Sequence, residues 1–168
     1  LASAKDISKR WLAIAPNQTA IGLLAFSQNI DAVVQPTTNR QLVRATIDDL
    51  EINYSRSGTD IDFAIDYGVQ LLLDSNRKRT ILLFTDGTQP VSNETIDKAV
   101  QNDVRIIAFG IGNSSRESTS LDTVVDEAIS DELREELQNS YSDLGMDFSI
   151  LQNLAEETDG MAFQITNE

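Results

Sequence analysis

The chain has 168 residues, 40% of them apolar and 24% charged, enough to build one sizeable core and too apolar for disorder. Its net charge of −14 repels phosphate backbones and favours cations and basic partners, so nucleic-acid binding is disfavoured. With no cysteine and no histidine, disulfides, thiol nucleophiles, zinc sites on those ligands and Ser-His-Asp triads are excluded.

The elements alternate from the first residues onward. Leu1 to Ala15 places Leu1, Ala4, Ile7, Trp11 and Ile14 on one helical stripe that Pro16-Asn17 stops. Ile21–Ser27 reads as a strand apolar on both faces, Gln28-Asn29 as a tight turn, and Asp31–Gln35 as a shorter strand, hence an antiparallel hairpin. Arg40 to Leu50 is a helix with Leu42, Val43, Ile47 and Leu50 inward. The polar loop Ser55–Thr59 leads to a helix over Asp60 to Leu73, with Ile61, Ala64, Ile65, Gly68 and Leu72 on one side. Arg79–Asp86 is a buried strand ended by Gly87. Ser92 or Asn93 caps a helix to about Asn102, and Val104–Gly112 is another buried strand.

The acidic segment Ser118 to Asn139 is expected to be helical, with Leu121, Val125, Ala128, Leu133 and Leu137 as its apolar positions. Asp147 is the expected cap of a helix from Phe148 to Thr158; Gly160 follows it, and Met161–Thr166 closes as a strand. Near-continuous apolar strands between amphipathic helices predict a mostly parallel sheet covered on both faces. The expected core is Leu23, Leu24, Ala25, Ile81, Leu82, Leu83, Ile106, Ile107 and Ala108.

In open α/β sheets ligands bind beyond the carboxyl ends of the strands. The polar groups there are Ser27, Thr85-Asp86-Gly87 and Asn113, with the Ser57-Gly58-Thr59 loop expected beside them. A hydroxyl at a helix start, Thr59, and a carboxylate at a strand end, Asp86, suit a hard cation that takes oxygen ligands. Each residue also has a plain reading: Thr59 as a helix cap, Asp86-Gly87 as a turn.

The order of IGLLAFS, SGTDIDFAIDYGVQLLL, RTILLFTDG, VRIIAFGIG and LQNLAEETDGMAFQI resembles the von Willebrand factor type A domain along its whole length. The resemblance implies a doubly wound, Rossmann-like α/β fold with helices on both faces and one antiparallel edge strand. It implies a protein-binding, adhesion-type module without enzymatic activity. It also implies a metal-ion-dependent adhesion site in which Mg²⁺ (or Mn²⁺, Ca²⁺) keeps an open position for a partner's carboxylate. Thr59 and Asp86 match the family's second and third metal-binding loops.

The sequence departs from that pattern at its start. The family's principal metal loop, Asp-x-Ser-x-Ser after a first central strand, has no counterpart; Asp6-Ile7-Ser8 carries only its beginning and lies in a helical pattern. The expectation is therefore one domain over residues 1–168, N-terminally incomplete, with an acidic helical insertion at about 115–147. A central strand slot would then be filled by residues preceding Leu1 or by a strand from a partner or second copy. A metal-independent, scaffolding version of the fold remains the alternative.

Enzyme readings fail on particular positions. Leu82–Thr88 resembles the haloacid dehalogenase loop, but Phe84 stands where that chemistry needs its nucleophilic aspartate. No Gly-x-Gly-x-x-Gly opens a helix after a strand, which argues against dinucleotide binding. No apolar run approaches the roughly 20 residues that cross a bilayer, so this segment is not expected to insert, and LASAKDISKR lacks the pattern of a secretion signal. Acceptor sequons at Asn17, Asn53, Asn93 and Asn113 lean toward an extracytoplasmic or membrane-anchored parent protein.

Overall fold

The computed structural model describes residues 2–51, 59–85, 90–112 and 148–166. In chain order the elements are α1 (Ala2–Ile14), β1 (Ile21–Phe26), β2 (Ile30–Thr37), α2 (Arg40–Asp49), α3 (Ile61–Leu72), β3 (Arg79–Thr85), α4 (Asn93–Gln101), β4 (Val104–Gly112), α5 (Ser149–Glu157) and β5 (Met161–Thr166). The alternation is the expected one, and the α/β class holds. The acidic insertion at 115–147, Asp86 and the loop at 52–58 lie outside the described residues.

β1 and β2 form the expected antiparallel hairpin, with Leu23 opposite Val34 and Ala25 opposite Ala32. β2 runs further than its apolar core suggests and takes in Pro36, which an outer strand tolerates because its missing N–H interrupts no ladder on that side. Leu12 of α1, Ala15 just past its end, and Val43 and Ile47 of α2 pack with Ile21 and Val34. Two inward assignments are corrected here. Ile14 is 54% exposed and Leu42 49%, because the neighbouring residue, Ala15 just past α1 or Val43 within α2, packs toward the hairpin instead. One position is about 100° of helix rotation, enough to move a side chain from the edge of a stripe to solvent.

β3, β4 and β5 form a parallel sheet in that order, with Ile81 beside Ile106, Leu83 beside Ala108 and Phe109 beside Phe163. One face carries Leu83, Val104, Ile106 and Ala108 under α3, α4 and α5, which contribute Ile61, Ile65, Val69, Ile96, Ala99, Leu151 and Leu154. The other face bears a stack of Phe84, Phe109 and Phe163 with ring centroids 4.9 and 5.4 Å apart, flanked by Leu82, Ile107, Met161 and Ile165. Of the expected core, Leu83, Ile106 and Ala108 are buried, whereas Leu23, Leu24, Ala25, Ile81, Leu82 and Ile107 are half-buried. Leu82 and Ile107 lie on the face of the aromatic stack, opposite α3, α4 and α5.

Among the described residues, the hairpin and the parallel sheet share no ladder. α3 joins them: it touches β1, β2 and β3, and Phe26 of β1 packs into the core beneath it. The division between β1 and β3 falls where the family's pattern places a central strand.

The amino edge of the parallel sheet is closed by side chains. Arg79 donates to the carbonyls of Leu73 (3.0 Å) and Ser75 (2.9 Å) after α3, and to that of Asn102 (2.7 Å) after α4. These are carbonyls that helix ends leave without intrahelical donors. Thr158 is buried and works in both directions: its hydroxyl accepts from Ile106 N–H at 3.2 Å and donates to the Leu154 carbonyl at 2.8 Å. Thr158 thereby supplies the acceptor β4 needs just before β5 begins. Gly160 lets the chain pass so close to β4 that a Cβ there would lie 1.8 Å from the Ile106 carbonyl oxygen.

Candidate functional site at the carboxyl edge

The opposite edge is built around the end of β1. The N–H of Asp60 donates to the Ser27 carbonyl at 2.9 Å, which fixes the entry to α3 beside that strand end. The Asp60 carboxylate then accepts from Phe63 N–H at 2.9 Å and caps α3. This corrects the reading of Thr59 as the cap: Asp60 supplies the capping oxygen, and Thr59, half-buried, stands one residue before it. The structure therefore brings Ser27 and Thr59 to the same place. The Ser27 Oγ is buried and has no hydrogen-bond partner among the described residues. A buried hydroxyl without a partner costs about 1–3 kcal/mol, so it is a group left in need of a donor, an acceptor or a ligand.

The carboxylates of α3 are committed elsewhere. Asp62 accepts from Ser92 N–H at 2.9 Å, and Ser92 in turn caps α4 through Thr95 N–H. Asp66 takes the Lys98 ammonium at 2.6 Å, with Glu94 also on Lys98 at 3.2 Å. Hydrogen bonding to Asp66, then to Glu94, pushes the Lys98 pKa above its ordinary value. These contacts pin α4 to α3 and leave none of the α3 carboxylates uncommitted. A cleft of about 210 Å³ between α4 and α5, lined by Val91, Ile96, Ile150 and Asn153 among others, includes neither Ser27 nor Thr59.

β3 delivers Thr85, buried, to the same edge, and Asp86 follows it directly in the chain. Asp86 itself, and so its distance from Thr59, lies outside the described residues. A hard divalent cation takes roughly six oxygen ligands, with carboxylates among them. The described part of the edge offers hydroxyl oxygens, one of them buried and unsatisfied, which is the right donor chemistry. No cluster of three acidic groups that could hold a metal occurs among the described residues.

Comparison with known proteins decides the family. The profile of the von Willebrand factor type A domain matches residues 4–139, well over half of the chain. The chain belongs to the von Willebrand factor type A family. Domains of this family generally mediate protein interactions and are generally not enzymes. An uncharacterized protein of Borreliella burgdorferi is 28% identical over 116 residues, covering 66% of the chain but 34% of that protein. The chain thus spans about a third of the length of the curated relative it matches.

Solved structures agree on the fold. The conserved hypothetical protein BatB from Bacteroides thetaiotaomicron superposes with a TM-score of 0.70 at 15% identity, covering 99% of this chain and 80% of that one. An aerotolerance-related membrane protein from Bacteroides fragilis gives a TM-score of 0.68 at 14% identity, covering 98% and 80%. Thr59 and Asp86 are the two positions that the resemblance matches to metal-binding loops. The sequence pointed to both positions and named Ser27 only as a polar strand end. The signal for Ser27 was a lone hydroxyl closing an otherwise apolar strand.

Proposed function

We propose that this von Willebrand A-type domain binds a protein partner at its carboxyl edge, and does so through a divalent cation, Mg²⁺ or in its place Mn²⁺ or Ca²⁺, when a principal Asp-x-Ser-x-Ser metal loop, which these 168 residues do not contain, completes the site. Thr59 and Asp86 would be protein ligands, and Ser27 would lie close enough to bond a coordinated oxygen. The cation would supply an open coordination position for a carboxylate of the partner. The observation that carries this reading is the double hold on Asp60. One bond to the Ser27 carbonyl and one to Phe63 N–H hold the Thr59–Asp60 turn against the Ser27 main chain, whose Oγ is buried and without a partner among the described residues. Membrane association of the parent protein is part of the proposal. It draws on the description of the Bacteroides fragilis neighbour as a membrane protein, while no described helix is long and apolar enough to cross a bilayer.

A metal-independent scaffolding role is the second reading, favoured by the commitment of Asp60, Asp62 and Asp66 to caps and ion pairs. Magnesium titration by calorimetry separates the two. The metal reading expects saturable binding that Asp86→Ala removes while the melting temperature stays close to that of the parent chain. Equal heats for both chains would favour the scaffolding role.

A further inference from the structure

α3 has three faces, and only two have partners among the described elements. Ile61, Ala64, Ile65 and Val69 are buried toward the strands, and Asp62 and Asp66 engage α4. The third face carries Phe63, Tyr67 and Gln70 at positions that recur on one side of a helix. Phe63 is 45% exposed, a large cost for an aromatic ring, yet it is held: Tyr67 meets it edge-on, with ring centroids 6.4 Å apart and planes at 60°. Exposed Asp60 stands one turn before Phe63, and exposed Asp74 about two turns after Tyr67.

The charge along the helix that bears this stripe is one-sided. No lysine or arginine occurs between Ser57 and Asn76, a stretch that contains Asp60, Asp62, Asp66 and Asp74. Of the nearby cations, Lys98 is held by Asp66 and Glu94, Arg77 by the Gln18 carbonyl and Arg79 by three helix-end carbonyls; Lys78, four residues past Asp74, is exposed, and Arg56 lies outside the described residues. With −14 over the whole chain, a second copy, a nucleic acid or an anionic membrane would be repelled from this face. A cation is attracted, and the paired rings select its kind. A guanidinium is planar and weakly hydrated and stacks on an aromatic face, whereas an ammonium is compact and strongly hydrated.

We propose that the outer stripe of α3, centred on Phe63 and Tyr67, is a docking surface for an arginine-bearing segment of a partner protein. The guanidinium lies against the Phe63–Tyr67 pair, and the carboxylates of Asp60 and Asp74 flank the stripe. The surface stands beside the Ser27–Thr59 edge but requires no metal, so it does not depend on the cation reading.

The test is an amide-resonance titration of the ¹⁵N-labelled chain with a capped tetrapeptide bearing arginine at both ends, run in EDTA at about 0.15 M salt to screen long-range attraction. The proposal expects the largest shifts at Phe63 to Gln70. It also expects binding weaker by about three- to tenfold for the lysine counterpart and for the double variant Phe63→Ser, Tyr67→Ser. The exposed position of Phe63 makes retention of the fold in that variant checkable by its remaining spectrum. Shifts centred on another acidic surface would overturn the proposal, as would arginine and lysine peptides binding alike or the double variant binding as well as the parent. Because EDTA removes divalent cations, loss of the metal reading would leave this result unchanged.

Discussion

The two edges of this domain use polar groups in opposite ways. At the amino edge, Arg79 ties the ends of α3 and α4, Thr158 gives β4 an acceptor where β5 has not yet begun, and Gly160 clears the path between them. Each polar group there answers a backbone group that would otherwise be stranded. At the carboxyl edge, Asp60 performs the structural work, while the buried Ser27 Oγ beside it is left unsatisfied. The amino edge spends its side chains on backbone groups, although the Arg79 Nε there is itself buried without a partner among the described residues. The carboxyl edge holds a hydroxyl that does no such backbone work, and substitutions should therefore act differently on the two.

The sharpest expected effect is at Gly160. Gly160→Ala puts a methyl group into the backbone carbonyl of Ile106, and no rotamer change can relieve that clash. The cost should be about 4 kcal/mol, above the usual 1–3 for overpacking, seen as a large loss in denaturant midpoint. Arg79→Met should follow at about 2–3 kcal/mol, since it keeps the apolar stem but strands the carbonyls of two helix ends. Thr158→Val removes the acceptor for Ile106 N–H and should cost about 1–2 kcal/mol, with Thr158→Ser recovering most of it. Urea unfolding curves rank these three. Ser27→Ala should be the smallest, within about 0.5 kcal/mol of neutral and tending toward stabilisation, because it deletes an unsatisfied group rather than a bond. A loss at Ser27 as large as that at Thr158 would erase the distinction between the edges.

The sequence made the alternation of helices and strands legible, because near-continuous apolar strands and 3.6-residue stripes are local patterns. The start of α4 was legible for the same reason, with Ser92 or Asn93 as its cap, and the structure gives the task to Ser92. Exact facing was not: Ile14 and Leu42 sit at stripe margins, where a rotation of one residue separates core from solvent. Nor could an apolar run such as Ile81–Leu83 show which of its faces a helix covers. The Arg79 bonds were invisible because they join carbonyls brought together only by the fold. The helix start at the carboxyl edge was legible in position but not in role. Thr59 and Asp60 are both plausible caps, and only the bonds to Ser27 and Phe63 assign the task to Asp60 and free Thr59.

The claim that the carboxyl edge is the binding side is tested most directly by mapping Mn²⁺ on the ¹⁵N-labelled chain through paramagnetic broadening of its amide signals. The account predicts that substoichiometric Mn²⁺ broadens Ser27, Asp60 and Ile61 first, leaves Arg79, Ile106 and Thr158 sharp, and is displaced by Mg²⁺. Broadening centred on Asp48-Asp49 or Glu156-Glu157, or spread evenly over the acidic surface, would contradict it.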